Sequence, residues 1–437
     1  MPSLNPQPLP ALNGADPIHG GRHDTEFHTP QRVLLERAWK RALDAKKRLV
    51  IRVTAPWADE CAMFDESLAK GGAELNKVLE RVETLVLDDN EFERGHQADY
   101  LISDLMHLHT VYLVDPATKA WSVIPNVSDA GLLTRYITLW LDSTDFPATL
   151  QRLIKEFKPA DAAQLPPLQH LVHTALQTTA YSRSYEETFA FFRQVRELAE
   201  KNKELFTGLD FAALEIKTVQ TLINVGRITF EDVKSLNPEL YARMAGVPEH
   251  LLEARLYNGV GVLVRKQGLR AAAEAAGALM EALHKELPTS MVTHEGVTIP
   301  TTGIRIKNES MVKILQARAG LITREQAVAF ANEAEAAGVE FYFRDNIHQI
   351  FIALQDYEKA ADLVEKALPE WIVFYDGLVA KMKAMGENFT AKGQPQMAQM
   401  LALKASVYGK VKERALKARH ERAATLRQKI VCPSLKA

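Results

Sequence analysis

The stretch "LVIRVTAPWADEC" (49–61) ends an apolar run on Trp57, Ala58, Asp59, Glu60 and Cys61. A thiol at the start of a helix is placed for nucleophilic chemistry, because the helix N-terminus favours the thiolate over the thiol. Cys61 is therefore the first side chain to weigh as a catalytic group. Dithiol exchange needs a second sulfur, and the only other cysteine is Cys432, near the far end of the chain. Two cysteines also exclude a disulfide framework and any all-cysteine zinc or iron–sulfur site within one chain. The histidines offer less. "QHLVHT" sets His170 and His173 about one helical turn apart without a third ligand, which reads as a solvated helix face. His19, His23 and His28 stand in a Pro- and Gly-rich tract that fixes no geometry. The last constellation is cationic: the final helix carries Lys404, Lys410, Lys412, Arg414, Lys417, Arg419, Arg422, Arg427 and Lys429 against Glu413 and Glu421. Arg414, Lys417 and Arg422 are its candidate contacts for an acidic partner surface, the alternative being a solvated helix whose cations approach its own C-terminus.

The elements that must position these groups alternate in type. Residues 1–28, rich in Pro, Gly and His, are expected to form a disordered arm, and Thr29-Pro30 supplies an N-cap followed by proline at the first helical position. A helix to about Lys47 leads to the strand 49–54, and a helix from about Asp59 leads to a strand around "VETLVLD". Next are expected a helix over 91–106, the strand "HTVYLVD", a turn at Asp115-Pro116, the strand "AWSVIP" and a helix from Ser128. On that last helix Leu132, Leu133, Tyr136, Ile137, Trp140 and Leu141 share one face. This order belongs to the α/β class.

With the elements in this order, residues 30–141 resemble a thioredoxin-fold domain, and "APWADEC" resembles its A-P-W-C-x-x-C loop with Ala58 in place of the attacking cysteine. The resemblance implies that Cys61 is the resolving-type thiol, left without a nucleophile. The family's buried proton-relay aspartate is matched by Arg52, which cannot act as a base at neutral pH. Its cis-proline loop is matched by "LHTVYL", with His109 at the proline position, and Pro125 falls where the family favours glycine. Dithiol oxidoreductase activity is therefore not expected. The same resemblance brings His109 near Cys61. A Cys61–His109 pair, with Asp59 or Glu60 adjacent, is either an activated monothiol or an incomplete metal site; the reading preferred is a small buried side chain that packs. No metal and no cofactor are expected.

The expected organisation is a thioredoxin-like domain over 29–145, a linker over 146–167 made of a helical segment around 150–157 and the Pro-rich "KPADAAQLPP", an α-helical region over 168–430 and a tail over 431–437. A hairpin or long loop, "TSMVTHEGVTIPTTGIRIKN", interrupts the helices at 289–308. "NVGRITFEDV" and "RAGLITREQAV" share G-x-I-T-x-E, a helix-ending glycine followed by an N-cap threonine. Later segments repeat a turn residue with a small residue four positions on and an L-P stop: Gly268 with Ala272, then Asp356 with Ala360. They resemble tetratricopeptide repeats, although the spacing is irregular.

A redox-degenerate thioredoxin-like domain followed by tetratricopeptide-like helices resembles the architecture of the bacterial chaperedoxins. That resemblance implies a non-enzymatic protein-binding scaffold or chaperone-like holdase whose partners are proteins, either unfolded clients or another chaperone. The competing readings are a monothiol enzyme using Cys61 and a structural subunit of a larger assembly. A formal net charge of −2 over 437 residues sets up no global field for nucleic acid or membrane, and nucleic acid is not expected as a partner. Without a long apolar run or a signal-peptide pattern, a cytoplasmic location and no membrane contact are expected.

Overall fold

The computed structural model describes residues 31–54, 59–88, 109–160, 164–245, 268–292 and 298–431. The arm over 1–28, Trp57, Ala58, the helix expected over 91–106 and the tail 432–437 lie outside the described residues. The chain builds an N-terminal α/β region around a four-stranded mixed sheet and then a mostly helical C-terminal region.

The first region contains α1 (Gln31–Asp44), β1 (Leu49–Thr54), α2 (Asp59–Gly71), α3 (Ala73–Leu79), β2 (Glu83–Asp88), β3 (Thr110–Asp115), β4 (Ala120–Ile124) and α4 (Ala130–Leu141). The sheet order is β2-β1-β3-β4. β1 runs parallel to β2, with Leu49 opposite Glu83, and antiparallel to β3, with Leu49 opposite Val114; β3 and β4 are antiparallel. Central strands covered on both faces must be apolar almost throughout, and β1 and β3 are. The two-residue period sends Leu49, Ile51, Val53, Tyr112 and Val114 toward Leu35 and Ala38 of α1, and Val50, Val111 and Leu113 toward the face that α4 covers. α4 buries Leu132, Leu133, Tyr136, Ile137 and Trp140, and Asp129 caps it by accepting from the Leu132 N–H at 2.8 Å. At the β3–β4 turn Asp115 Oδ1 accepts from the Ala117 and Thr118 N–H groups.

The helical segment expected within the linker forms and starts a few residues earlier. This helix, α5 (Phe146–Glu156), buries Phe146, Leu150 and Ile154. α6 (Leu168–Ser182) then lies along β4. The Thr178 hydroxyl accepts from the Val123 N–H at 3.2 Å and donates to the Val123 carbonyl at 2.9 Å, satisfying part of an otherwise open strand edge. One apolar cluster runs from Val50 and Leu133 through Leu150 to Leu176 and Phe192, so the boundary is a shared core and not a hinge. Thr178→Val should leave both Val123 backbone groups buried and unpaired, costing about 1–3 kcal/mol in denaturant unfolding. Stability equal to the parent would show that the edge is satisfied by other means.

The helical region continues with α7 (Tyr185–Lys201), α8 (Phe211–Asn224), α9 (Phe230–Leu236) and α10 (Pro238–Ala245). Beyond the next described break come α11 (Leu269–Glu286), β5 (Ser290–Val292), β6 (Thr298–Pro300), α12 (Thr302–Arg318), α13 (Arg324–Ala336), α14 (Phe341–Arg344), a 3-10 turn at Asp345–Ile347 and α15 (His348–Ala353). Two long helices finish it, α16 (Tyr357–Ala391) and α17 (Pro395–Val431). Both expected glycine–threonine turns form: Gly226 and Gly320 adopt positive φ, while Thr229 and Thr323 close capping boxes on α9 and α13. The expected insert is a β5–β6 hairpin, but its last residues, from Thr302, already belong to α12.

Leu368-Pro369 was expected to stop a helix and does not. α16, 35 residues in all, runs through Pro369 because α17 packs along it as an antiparallel partner, and tertiary burial outweighs one lost backbone bond. At about 1.5 Å per residue the pair forms a hairpin roughly 50 Å long.

Candidate functional site

Arg52 comes from β1, Cys61 from the first turn of α2, and His109 from the residue before β3. Arg52 and His109 share the α4 face of the sheet. Val127 receives the His109 Nδ1–H at 2.9 Å, so that nitrogen carries the proton and Nε2 has the lone pair. Arg52 Nε donates to Nε2 at 3.1 Å. Phe64 of α2 closes the group, its ring 4.4 Å from the imidazole centroid and 4.4 Å from the guanidinium carbon. Asp65 lies 3.7 Å from the Arg52 guanidinium.

These contacts decide what the group can do. Burial first, then the Arg52 charge, push the imidazole down to about 4 against the opposing pull of the Val127 carbonyl, so His109 is neutral near pH 7. Both ring nitrogens are committed, so His109 offers no free lone pair as a general base. Burial also lowers the Arg52 pKa, while the charges of Asp65 and Cys61 oppose that shift. Cys61 itself is 1 % exposed and packs in the cluster that contains Leu35, Ala38, Ile51 and Val53. Its environment is that of a small apolar residue. Asp59 and Glu60 open α2 beside it. Among the described residues no group of three or more His, Cys, Asp or Glu side chains is arranged to hold a metal ion.

The opposite face of α2 is also covered, by the chain's own last helix. Ala62 packs against Val407, Val411 and Ala415 of α17, with Trp371, Phe374 and Leu378 of α16 around them. Glu66 pairs with Lys410, and Asp65 with Arg414 at 3.0 Å.

This contact revises the expected partner surface on the basic helix. Arg414 is engaged by Asp65, and Arg422 is buried with Nη1 3.3 Å from His348 Nε2. Only Lys417 of the three is well exposed, next to Glu421 at 3.9 Å. Lys412 pairs with Asp376, and Arg427 with Asp362 and Glu365 on α16. Arg419 grips Asp345 through two bonds, Nη1 to Oδ1 at 2.9 Å and Nη2 to Oδ2 at 2.7 Å, while Trp371 Nε1 donates to Oδ1 at 3.1 Å. The cations hold the helical region to itself and to α2. A sequence signal for this existed in the acids of the preceding helix, Asp362, Glu365 and Asp376, which meet them in antiparallel register.

His170 and His173 do not form a solvated face. His170 Nδ1 lies 2.8 Å from the Tyr136 hydroxyl, and burial pushes His173 down to about 4. An open cavity of about 600 Å³ lies between α7, α8 and α10, with Phe192, Phe206 and Phe211 in its lining. At its rim Arg196 pairs with Glu200, and Arg243 with Glu215. Among the described residues no helix is long and apolar enough to cross a membrane. No protein-family model, no curated protein and no solved structure matches this chain.

Proposed function

We propose that this chain is a non-enzymatic protein-binding scaffold of the holdase kind, built on a redox-inactive thioredoxin-like domain and a tetratricopeptide-like helical region. The observation that carries the reading is the burial of Cys61, together with the engagement of both His109 ring nitrogens by Arg52 and the Val127 carbonyl. A thiol closed off from solvent cannot meet a disulfide substrate and performs no exchange chemistry. The thioredoxin-like assignment is supported by the strand order β2-β1-β3-β4 with β3 alone antiparallel, and by α2 following β1 directly. The repeat-like assignment is supported by the two capped glycine–threonine turns. Residues freed from catalysis leave surface and helix pairs as the parts that act, and stacked helices hold partner segments.

The test is a light-scattering assay on a thermally unfolding reporter enzyme, run beside dithiothreitol-driven insulin reduction. The expected result is ATP-independent protection at near-stoichiometric amounts, unchanged in Cys61→Ser, with no insulin reduction above background. In a Cys432→Ser background, Cys61 should react with an aromatic disulfide reagent at least about 100-fold faster after unfolding than in the native state. A thioredoxin-like reduction rate, or loss of protection in a folded Cys61→Ser protein, would return the site to monothiol chemistry.

A further inference from the structure

The α16–α17 hairpin has one apolar side, and only its lower half is covered. Near the base, Trp371, Phe374 and Leu378 of α16 and Val407, Val411 and Ala415 of α17 receive α2 through Ala62. A helix turns about 100° per residue, so Met385 extends the α16 row and Met397 and Met400 extend the α17 row on that same side. Gly386 faces Ala398 and Leu401 across the seam, which fixes the register and sets the three methionines beside one another. All three are exposed.

The same rotation places Lys381, Lys392 and Lys404 around the methionines, and each is exposed. None of the three enters an ion pair among the described residues. The cations nearer the base behave differently: Lys410, Lys412, Arg414, Arg419 and Arg427 are all paired. The molecule also displays the kind of element this side accepts. α2 seats Ala62 on the apolar row while its acids Asp65 and Glu66 reach Arg414 and Lys410. Upward along the arm the pattern recurs as a methionine floor with a lysine rim. Methionine suits such a role because its flexible, polarizable side chain adapts to varied apolar partners.

We infer that the distal half of the α16–α17 hairpin is a docking face for an acidic amphipathic helix of a partner protein, bound as α2 is bound lower on the same side. The inference rests on the scaffold reading and names its partner class. Charge argues against a second copy as occupant, since 377–404 carries four lysines and one glutamate and two such arms repel. It also argues for protein over lipid that 377–404 contains neither Trp nor Tyr, the residues that anchor helices at headgroups.

The test uses the full chain and a fluorescein-labelled peptide of about 18 residues, with Leu at helical spacing and Glu on the other face, beside a copy with Lys for Glu. Fluorescence anisotropy should show the Glu peptide bound at least about tenfold more tightly than the Lys peptide, with the gap shrinking near 1 M salt. Lys381→Glu/Lys392→Glu/Lys404→Glu should reverse the preference. Met385→Ser/Met397→Ser/Met400→Ser should weaken Glu-peptide binding about tenfold while circular dichroism stays unchanged. Equal affinity for both peptides, or a preference untouched by charge reversal, overturns the inference. So does co-sedimentation with phosphatidylglycerol vesicles without peptide binding, or a dimer dissolved by the methionine variant. If reporter-enzyme protection persists in the folded lysine and methionine variants while the peptides fail to bind, the docking face is wrong and the scaffold stands. Loss of protection in the parent protein would count against the scaffold instead.

Discussion

Lowering the pH from 7 to 4 is expected to cost this protein about 3 kcal/mol of stability through His109 alone. The folded imidazole titrates at about 4 against an ordinary value of 6.5, because it is buried and faces the Arg52 guanidinium. Between those two values the unfolded chain takes up a proton and the folded chain does not. Stability is therefore fully present above pH 6.5 and drains away as the pH falls toward 4. His173 also titrates at about 4, chiefly through burial, and adds in the same direction. The measurement is the urea midpoint at pH 7.5, 6.5, 5.5 and 4.5. His109→Gln should flatten the fall by about 3 kcal/mol while losing some stability at neutral pH, where Arg52 loses a well-placed acceptor. An identical pH profile in the variant would show that Arg52 does not seal the imidazole.

The second large effect belongs to the helical region. Asp345→Ala should destabilise it by about 3–5 kcal/mol, since Arg419 would keep its charge in a buried site without the carboxylate that grips it through two bonds. The two side chains are only 8 % and 6 % exposed. Burial alone pushes the Asp345 carboxyl up, but the charge and hydrogen bonds of Arg419, helped by Trp371, hold it below its usual value. The Arg419 guanidinium also rests 4.1 Å from the Trp371 ring centroid. Arg419→Met strands the opposite charge and should cost a similar amount. The double variant Asp345→Leu/Arg419→Met removes both charges and should recover most of the loss. Chemical denaturation followed by tryptophan fluorescence reads all three, and a double variant no better than the singles would show that the pair is not a coupled unit.

The N-terminal α/β region was legible because its signals are local. The apolar runs of β1 and β3, the Asp115-Pro116 turn and the stripe from Leu132 to Trp140 each determine their own element. So were the turns at Gly226–Thr229 and Gly320–Thr323, where one residue must take positive φ and the next ones must cap. At the site, burial of Cys61 followed from a lone apolar thiol on a helix. What composition could not show was pairing across distance. Pro369 reads as a stop until α17 lies beside it, Arg422 reads as surface until His348 is opposite, and His170 reads as solvated until Tyr136 reaches it. Each of these outcomes depends on a residue more than thirty positions away.

The seat of α2 on α17 also has a consequence in time. Lys410 and its partner Glu66 are separated by 344 residues. A ribosome adding about 5–20 residues per second needs roughly 17 to 70 seconds to cover that interval. Throughout it the nascent chain presents Ala62, Asp65 and Glu66 to its surroundings as an acidic helix face awaiting its cover. A transcript that ends before residue 407 makes that exposure permanent.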